Sequence, residues 1–133
     1  HTRFKCDWSS DVCSSDLIYG TALEQIHHNL NLLEPGLSFE EFNARSWKIP
    51  PQHIDYRYSL ALHGVGMADE WPVVPLHVDF GETAMSGTLE PGMVVCVESL
   101  IGEEGSESVK LETQVLITET GAERLDSFPF EDV

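Results

Sequence analysis

The run MVVCVE, residues 93–98, constrains the fold of this chain more than any other stretch. The turn signal Glu90-Pro91-Gly92 introduces it, and its consecutive apolar residues leave it without a polar face. Such a run is typical of a strand that is buried on both faces. Further along, residues 109–118 alternate between apolar and polar side chains, which predicts a second strand with one apolar face. A short acidic loop that contains glycine separates the two runs, so we predict a β-hairpin.

Helical patterns precede these strands. Apolar residues recur at steps of three and four over residues 18–33, which predicts a helix that Pro35-Gly36 ends. A capping box from Ser38 to Glu41 predicts a second helix over residues 38–48. The aromatic and apolar residues 56–62 predict a further strand. The predicted class is therefore α+β, with helices packed on a mainly antiparallel sheet.

The opening segment, HTRFKCDWSSDVCSSDL, differs from the rest of the chain because it lacks apolar periodicity. Its residues match the translation of a common sequencing adapter. We therefore expect residues 1–17 to be an artefact of that origin, and native protein to begin near Ile18. Cys6 and Cys13 leave a disulfide or half of a metal site open as alternatives, although their spacing fits no common zinc pattern.

The charge balance argues against two classes of partner. The chain carries 7 Lys and Arg against 23 Asp and Glu, for a formal net charge of −16. Nucleic acids and anionic membrane surfaces require basic patches, so neither is an expected partner. Without residues 1–17 a single cysteine, Cys96, remains, which favours a reducing, cytoplasmic setting. No apolar run approaches the roughly 18 residues of a membrane span.

Glu98 is the first candidate functional residue, because it ends the apolar run. A carboxylate in that position loses its water and must be neutralised, paired or bound to a cation. Glu112 lies on the polar face of the adjoining strand, and His63 ends an apolar strand before it. One His and two Glu form a mixed nitrogen and oxygen donor set that suits Mn, Fe, Co or Zn.

Structural roles remain open for the same residues. Each Glu at a strand end can be a solvated or hydrogen-bonded residue, and a lone His likewise. Cys96 shares a strand face with Glu98, and we expect it to be a small buried hydrophobe.

Three blocks carry a resemblance to a known family. The stretches LHGVGMADEWP, LEPGMVVCVES and VKLETQVLITETGAERL resemble the C-terminal blocks of the creatinase, aminopeptidase P, prolidase and methionine aminopeptidase family, which has the pita-bread fold. The resemblance implies that His63, Glu98 and Glu112 are ligands of a centre with two divalent metal ions, Fe, Mn, Co or Zn. The family's other two ligands are aspartates upstream of the first helix. Residues 18–133 therefore look like the C-terminal part of a catalytic domain, inactive alone, and we expect the intact parent to be a homodimer.

Departures from the family pattern bear on the substrate. Peptidases of the family place a second histidine seven residues after the ligand histidine, where this chain has Glu70. Many have another histidine four residues before it, where this chain has Ser59. The stretch MADEWP instead resembles the dimethylsulfoniopropionate lyases built on this fold. That resemblance implies that Asp69 is the general base and that Tyr58 lines the substrate pocket. Trp71 is a candidate for holding a cationic sulfonium against its π-face.

Three functions therefore remain open for the intact protein. The first is a carbon–sulfur lyase that acts on a small substrate with a carboxylate, the second is an Xaa-Pro metallopeptidase, and the third is a catalytically inactive member that acts in binding. The structural alternatives for the pocket residues are a turn-capping role for Asp69, core packing for Tyr58 and a lid-filling role for Trp71.

Overall fold

Two α-helices and a five-stranded antiparallel sheet form the described part of the structure, a computed structural model that describes residues 14–81, 86–105 and 107–130. The helices are α1 (Ser14–Leu30) and α2 (Phe39–Arg45), and a short 3₁₀ helix covers Pro51–Tyr56. The strands are β1 (Leu60–Gly64), β2 (Val73–Pro75), β3 (Val94–Gly102), β4 (Ser108–Ile117) and β5 (Ala122–Arg124). The predicted α+β class is confirmed.

The sheet has the strand order β2-β1-β3-β4-β5, and every neighbouring pair is antiparallel. β3 and β4 form the predicted hairpin, whose register runs from Val94 opposite Leu116 to Gly102 opposite Ser108. The residues from Val95 to Ser99 are all buried, as predicted for a strand with both faces covered.

One face of the sheet packs against α1. Ile26 of α1 is fully buried against β3 and β4, and burial of such a side chain contributes about 1.5–3 kcal/mol. In β3 and β4, the residues of this core have odd numbers: Val95, Val97, Val115 and Ile117. Because side chains alternate along a strand, Cys96 and Glu98 point to the opposite face. The sheet therefore separates the core with α1 from the candidate site.

The predicted capping box begins α2. The Ser38 hydroxyl oxygen accepts a hydrogen bond from the Glu41 backbone N–H at 3.1 Å, and the Glu41 side chain accepts one from the Ser38 backbone N–H at 3.4 Å. Asn43 Nδ2 donates to the Pro75 carbonyl at 2.7 Å. This buried bond ties α2 to β2, the edge strand next to β1.

Several predicted boundaries are wrong. The first helix covers Ser14–Leu30 rather than 18–33, and the second ends at Arg45 rather than residue 48. The strand predicted from residue 56 begins at Leu60, because Pro50 and Pro51 have fixed φ angles that start a 3₁₀ turn instead. The sequence pattern does not predict β2 and β5, because a strand of three residues is too short to show a period.

The first turn of α1, residues 14–17, belongs to the segment that we expect to derive from an adapter. Residues 1–13, including Cys6 and Cys13, lie outside the described residues. The origin of the opening segment therefore stays a prediction. Of the helices in the described ranges, none has the length and apolar character that crossing a membrane requires.

Candidate metal centre

Strand pairing brings the predicted ligands to one face of the sheet. His63 on β1 lies directly opposite Cys96 on β3, and Glu98 lies directly opposite Glu112 on β4. Directly opposite residues point to the same face, and so do residues two apart on one strand. All four side chains therefore lie on the face away from α1. The structure therefore places the three predicted metal ligands on one face of the sheet, with a cysteine among them. Among the described residues, the cluster whose donor atoms lie within 4.8 Å of one another includes His63 and Glu98 but not Glu112.

The imidazole of His63 is oriented by its own strand. Nδ1 lies 2.8 Å from the Gly64 carbonyl oxygen, which accepts, so Nδ1 carries the proton in the neutral ring. The lone pair of Nε2 is then free, and Nε2 lies 3.7 Å from Glu98 Oε1. A histidine ligand is commonly oriented in this way, with one nitrogen donating to a carbonyl and the other facing the metal.

Glu98 is the most deeply buried charged residue of the site, with 2% of its surface exposed. Burial raises the pKa of its carboxyl group above the ordinary value, and a hydrogen bond from Lys110 opposes that rise. Within the described residues, Oε2 of Glu98 is buried and has no hydrogen-bond partner. Such an unsatisfied oxygen costs free energy unless something positive binds it.

Lys110 supplies a positive charge between the two glutamates. Its Nζ lies 2.8 Å from Glu98 Oε1 and 3.4 Å from Glu112 Oε2. The hydrogen bond to Glu98 raises the pKa of Lys110, so the ammonium stays charged. The same Nζ lies 4.8 Å from the centroid of the Tyr58 ring, a cation–π contact. Lys110 therefore joins the predicted pocket residue to the predicted ligands.

Tyr58 is half-buried beside these charges. Burial raises the pKa of its phenol, and the negative charges of Glu98 and Glu70 raise it further. The phenol is therefore a neutral hydrogen-bond donor at physiological pH, next to the carboxylate of Glu70.

The donor set fits a divalent metal ion on three observations. In the part of the chain that the structure describes, Oε2 of Glu98 is buried without a hydrogen-bond partner, and Nε2 of His63 presents a lone pair towards the same carboxylate. The carboxylates of Glu98 and Glu112 already share one cation, the ammonium of Lys110. A mixed imidazole and carboxylate set of this kind suits Mn, Fe, Co or Zn.

The sequence analysis predicts no functional role for two residues that the structure places in the site. Lys110 lies two residues before Glu112 on the polar face of β4, so the period of two already places it on the ligand face. Cys96, expected to be a small hydrophobe, contributes Sγ to a cluster in which single donor atoms of His63, Cys96 and Glu98 all lie within 4.8 Å of one another. Burial, followed by the charges of Glu112 and Glu98, raises the pKa of the Cys96 thiol to about 12.

Asp69 and Trp71 lie in an exposed loop between β1 and β2 rather than in the cluster. Asp69 has a φ of 58°, in the left-handed region, and its N–H donates to the Gly66 carbonyl at 3.2 Å. In the described ranges, no hydrogen bond or ion pair joins the Asp69 carboxylate to His63, Glu98 or Glu112. The structure therefore does not bring the predicted base and the predicted ligands into contact.

The loop nevertheless returns tightly to the ligand strand. A Cβ atom on Gly64 would lie 2.1 Å from the Trp71 carbonyl oxygen, so only glycine fits next to His63. The Gly64 N–H donates to the Pro72 carbonyl at 2.7 Å. This close backbone approach fixes the base of the loop that carries Asp69.

Glu112 is the ligand candidate nearest to solvent, with its side chain 52% exposed. It also lines a cleft of about 350 Å³ together with Gln114, Asp126 and Phe128. The site is therefore buried at Glu98 and open at Glu112.

Comparison with known proteins gives consistent results. Residues 9–119 match metallopeptidase family M24. The dimethylsulfoniopropionate lyase DddP of Roseovarius nubinhibens is 41% identical over 93% of this chain and 29% of that protein. The DddP of Roseobacter denitrificans is 43% identical over 88% of this chain and 27% of that protein. The chain thus spans less than a third of these relatives.

Among solved structures, the prolidase from Pyrococcus furiosus superimposes with a TM-score of 0.72 at 28% identity, covering 91% of this chain and 35% of that one. The described fold therefore matches part of a pita-bread structure.

Proposed function

Because the chain belongs to metallopeptidase family M24, we propose that the intact protein is a metal-dependent carbon–sulfur lyase whose substrate is dimethylsulfoniopropionate or a compound of the same chemistry. The identity of 41% and 43% to two dimethylsulfoniopropionate lyases supports this substrate class. The prolidase, at 28% identity, supports the alternative of an Xaa-Pro metallopeptidase.

In this proposal His63, Glu98 and Glu112 hold the metal ions. The proposal is supported by Nε2 of His63 and by Oε2 of Glu98, which has no hydrogen-bond partner among the described residues, and Glu112 adds a carboxylate from the open side. Two divalent ions, when bound, supply Lewis-acid stabilisation of negative charge on the substrate carboxylate.

Asp69 acts as the general base of the proposed elimination. Its carboxylate takes a proton from the carbon next to the substrate carboxylate. The carbon–sulfur bond then breaks, its electron pair leaves with sulfur as dimethyl sulfide, and acrylate remains. The exposed loop position of Asp69 requires that substrate or loop closure bring the carboxylate to that carbon.

Tyr58 and Trp71 hold the sulfonium group. The ring of Tyr58 already makes a cation–π contact with the ammonium of Lys110 at 4.8 Å, which supports its ability to receive a cation. The indole of Trp71 is 61% exposed and offers a second aromatic face.

The presence of Glu70 is the observation that favours the lyase function over the peptidase function. Peptide hydrolysis requires donors for the oxyanion that develops on the scissile carbonyl. Where related peptidases place a histidine, this chain has the carboxylate of Glu70, which lies beside Tyr58 and close enough to raise the pKa of the phenol. The Glu70 carboxylate would repel the developing oxyanion of peptide hydrolysis, whereas it would attract a cationic sulfonium group.

The cellular setting belongs to the same proposal. We propose that the intact protein is a homodimer that acts in the cytoplasm on a small molecule and binds neither nucleic acid nor membrane. The net charge of −16 supports the exclusion of polyanionic partners.

Parallel assays of the intact protein test the function. Purified protein is given dimethylsulfoniopropionate in one reaction and an Xaa-Pro dipeptide in the other, each with and without Fe, Mn, Co or Zn. We expect metal-dependent release of dimethyl sulfide and no proline. Release of proline without dimethyl sulfide would establish the peptidase, and the absence of both products would establish a binding role.

A further inference from the structure

We propose that His63, Cys96 and Glu98 form a binding site for one thiophilic divalent cation, with Zn²⁺ and Cd²⁺ as the matching ions. The site shares His63 and Glu98 with the metal centre of the proposed function. This overlap is the only way in which the inference rests on that function. It adds the sulfur of Cys96, which neither the family resemblance nor the comparisons assign.

The geometry of the three donors carries the proposal. His63 and Cys96 are direct partners across β1 and β3, and Glu98 follows two residues later on the same face. One ligand atom from each residue lies within 4.8 Å of the others. Donors at zinc distances of about 2.0–2.3 Å in a tetrahedral site are separated by roughly 3.5 Å.

Burial distinguishes this cluster from a chance group of acidic residues. Cys96 and Glu98 are 2% exposed, and His63 is 9% exposed. Within the described ranges, Oε2 of Glu98 is buried and has no hydrogen-bond partner, so the cluster contains an unsatisfied anionic donor. A thiolate and a carboxylate together neutralise a divalent ion, which keeps the cost of burying the charges low. The thiol proton passes to the buffer when the sulfur binds the metal.

Lys110 does not have to leave when such an ion binds. Its ammonium lies 2.8 Å from Oε1 of Glu98, the oxygen that lies 3.7 Å from Nε2 of His63, and a carboxylate oxygen has a second lone pair that can face a metal ion. Oε2 of Glu98 has no hydrogen-bond partner in the described ranges. The side chains of Lys110 and Glu112 are 44% and 52% exposed, which provides an approach from solvent.

The sulfur donor sets the preference of the site. Thiolate favours Zn²⁺ and Cd²⁺, whereas Mn²⁺ prefers oxygen donors. A thiophilic ion held by Cys96 would also occupy His63 and Glu98, two residues that the proposed two-ion centre needs. Excess Zn²⁺ held by Cys96 is therefore expected to compete with Mn or Fe ions at that centre.

A cadmium titration tests the site without any substrate. Cys6 and Cys13 are first replaced in a C6S/C13S chain, so that Cys96 is the sole thiol. The metal-free C6S/C13S chain is then titrated with Cd²⁺ while the ultraviolet thiolate-to-cadmium charge-transfer absorption is followed. We expect the band to appear and to saturate at one ion per chain. No band, or cadmium binding without it, overturns the proposal.

Three variants in the same background locate the other donors. C96S abolishes the band, while H63Q and E98Q keep the sulfur and weaken cadmium binding by at least the roughly 10- to 100-fold that loss of an outer-shell partner costs. E119Q, in an exposed turn, is the control and should leave the titration unchanged. If C96S fails to fold, H63Q and E98Q decide, because a band that neither variant weakens overturns the three-donor site. A failure of the lyase proposal leaves this titration unaffected, since no turnover is measured.

Discussion

Lys110 Nζ lies 2.8 Å from Oε1 of Glu98, so the buried carboxylate of β3 takes its counter-charge from the neighbouring strand β4. Glu98 lies directly opposite Glu112, and Lys110 is the diagonal neighbour of Glu98 on the same face. The pairing places one cation between two anions that would otherwise face each other without compensation. A metal ion that binds Glu98 therefore meets a carboxylate that is already paired with the ammonium of Lys110.

Replacing Lys110 by methionine should destabilise the metal-free chain in a pH-dependent way. Burial raises the pKa of Glu98 above its ordinary value of 4.5, and Lys110 opposes the rise. Without Lys110 the pKa of Glu98 rises further, and a raised carboxyl pKa means that stability is lost as the pH rises through it. We expect K110M to cost about 1–2 kcal/mol at pH 8, discounted for the partly exposed lysine, and less at pH 5.

Urea unfolding of both proteins in chelator at the two pH values measures this difference. K110R keeps the charge and is the matched control, with an expected change of under about 0.5 kcal/mol. A penalty for K110M that is equal at both pH values would show that the ammonium does not act on the Glu98 carboxylate.

Substitution of Gly64 by alanine should be costly, whereas the same change at Gly66 should not. The added Cβ at Gly64 would lie 2.1 Å from the Trp71 carbonyl oxygen, but at Gly66 it meets no atom within 4 Å. We expect G64A to lose about 2–4 kcal/mol of stability and G66A to stay within about 0.5 kcal/mol of the parent. Equal unfolding midpoints for the two variants in urea would mean that the loop does not return to β1 as described.

The ion pair between Arg57 and Asp79 should contribute to stability at neutral pH. Arg57 donates to both carboxylate oxygens of Asp79, and this hydrogen bonding lowers the pKa of Asp79 below its ordinary value of 3.8. A lowered carboxyl pKa stabilises the fold above the ordinary pKa, and the contribution is lost as the pH falls through the folded pKa.

We therefore expect D79N to cost about 1.5–3 kcal/mol at pH 7, since both partners are less than a third exposed, and progressively less as the pH falls below the ordinary pKa of 3.8. Thermal unfolding across this range measures the gap between parent and variant, with E119Q as the control for loss of one surface charge. A gap that is constant down to acidic pH would contradict the assignment.

The central hairpin and the shared face of Glu98 and Glu112 follow from sequence pattern, because a period of two assigns each strand residue to one face. The position of His63 at the end of an apolar strand makes it a third candidate, and the resemblance implies that it is a ligand. The contacts of Lys110 did not follow, since a diagonal contact depends on the register between two strands. The sequence pattern does not reveal the role of Cys96 either, because a buried cysteine gives the same pattern whether it packs in the core or binds a metal ion.

The loop residues show the other limit of sequence reasoning. The resemblance implies that Asp69 is the base, and the π-face of Trp71 makes it a candidate for the pocket. The backbone of residues 65–71 instead follows a turn whose direction depends on tertiary contacts at Gly64. Local sequence does not specify such contacts, which is why the predicted base lies apart from the predicted ligands in the described structure.

Asp69 can be tested as the base with a substitution that preserves its backbone. Its φ of 58° lies in the left-handed region, which asparagine adopts nearly as readily as aspartate, whereas alanine would add strain. In the intact protein we expect D69N to lower kcat for dimethyl sulfide release by roughly 10²- to 10⁴-fold, because a proton acceptor is lost. Metal content and KM should change little, since Asp69 lies apart from the ligand cluster. Exchange of solvent deuterium into the carbon next to the substrate carboxylate should disappear in parallel, while E119Q retains both activities. Full turnover by D69N would assign the base to another residue and leave Asp69 as a turn residue.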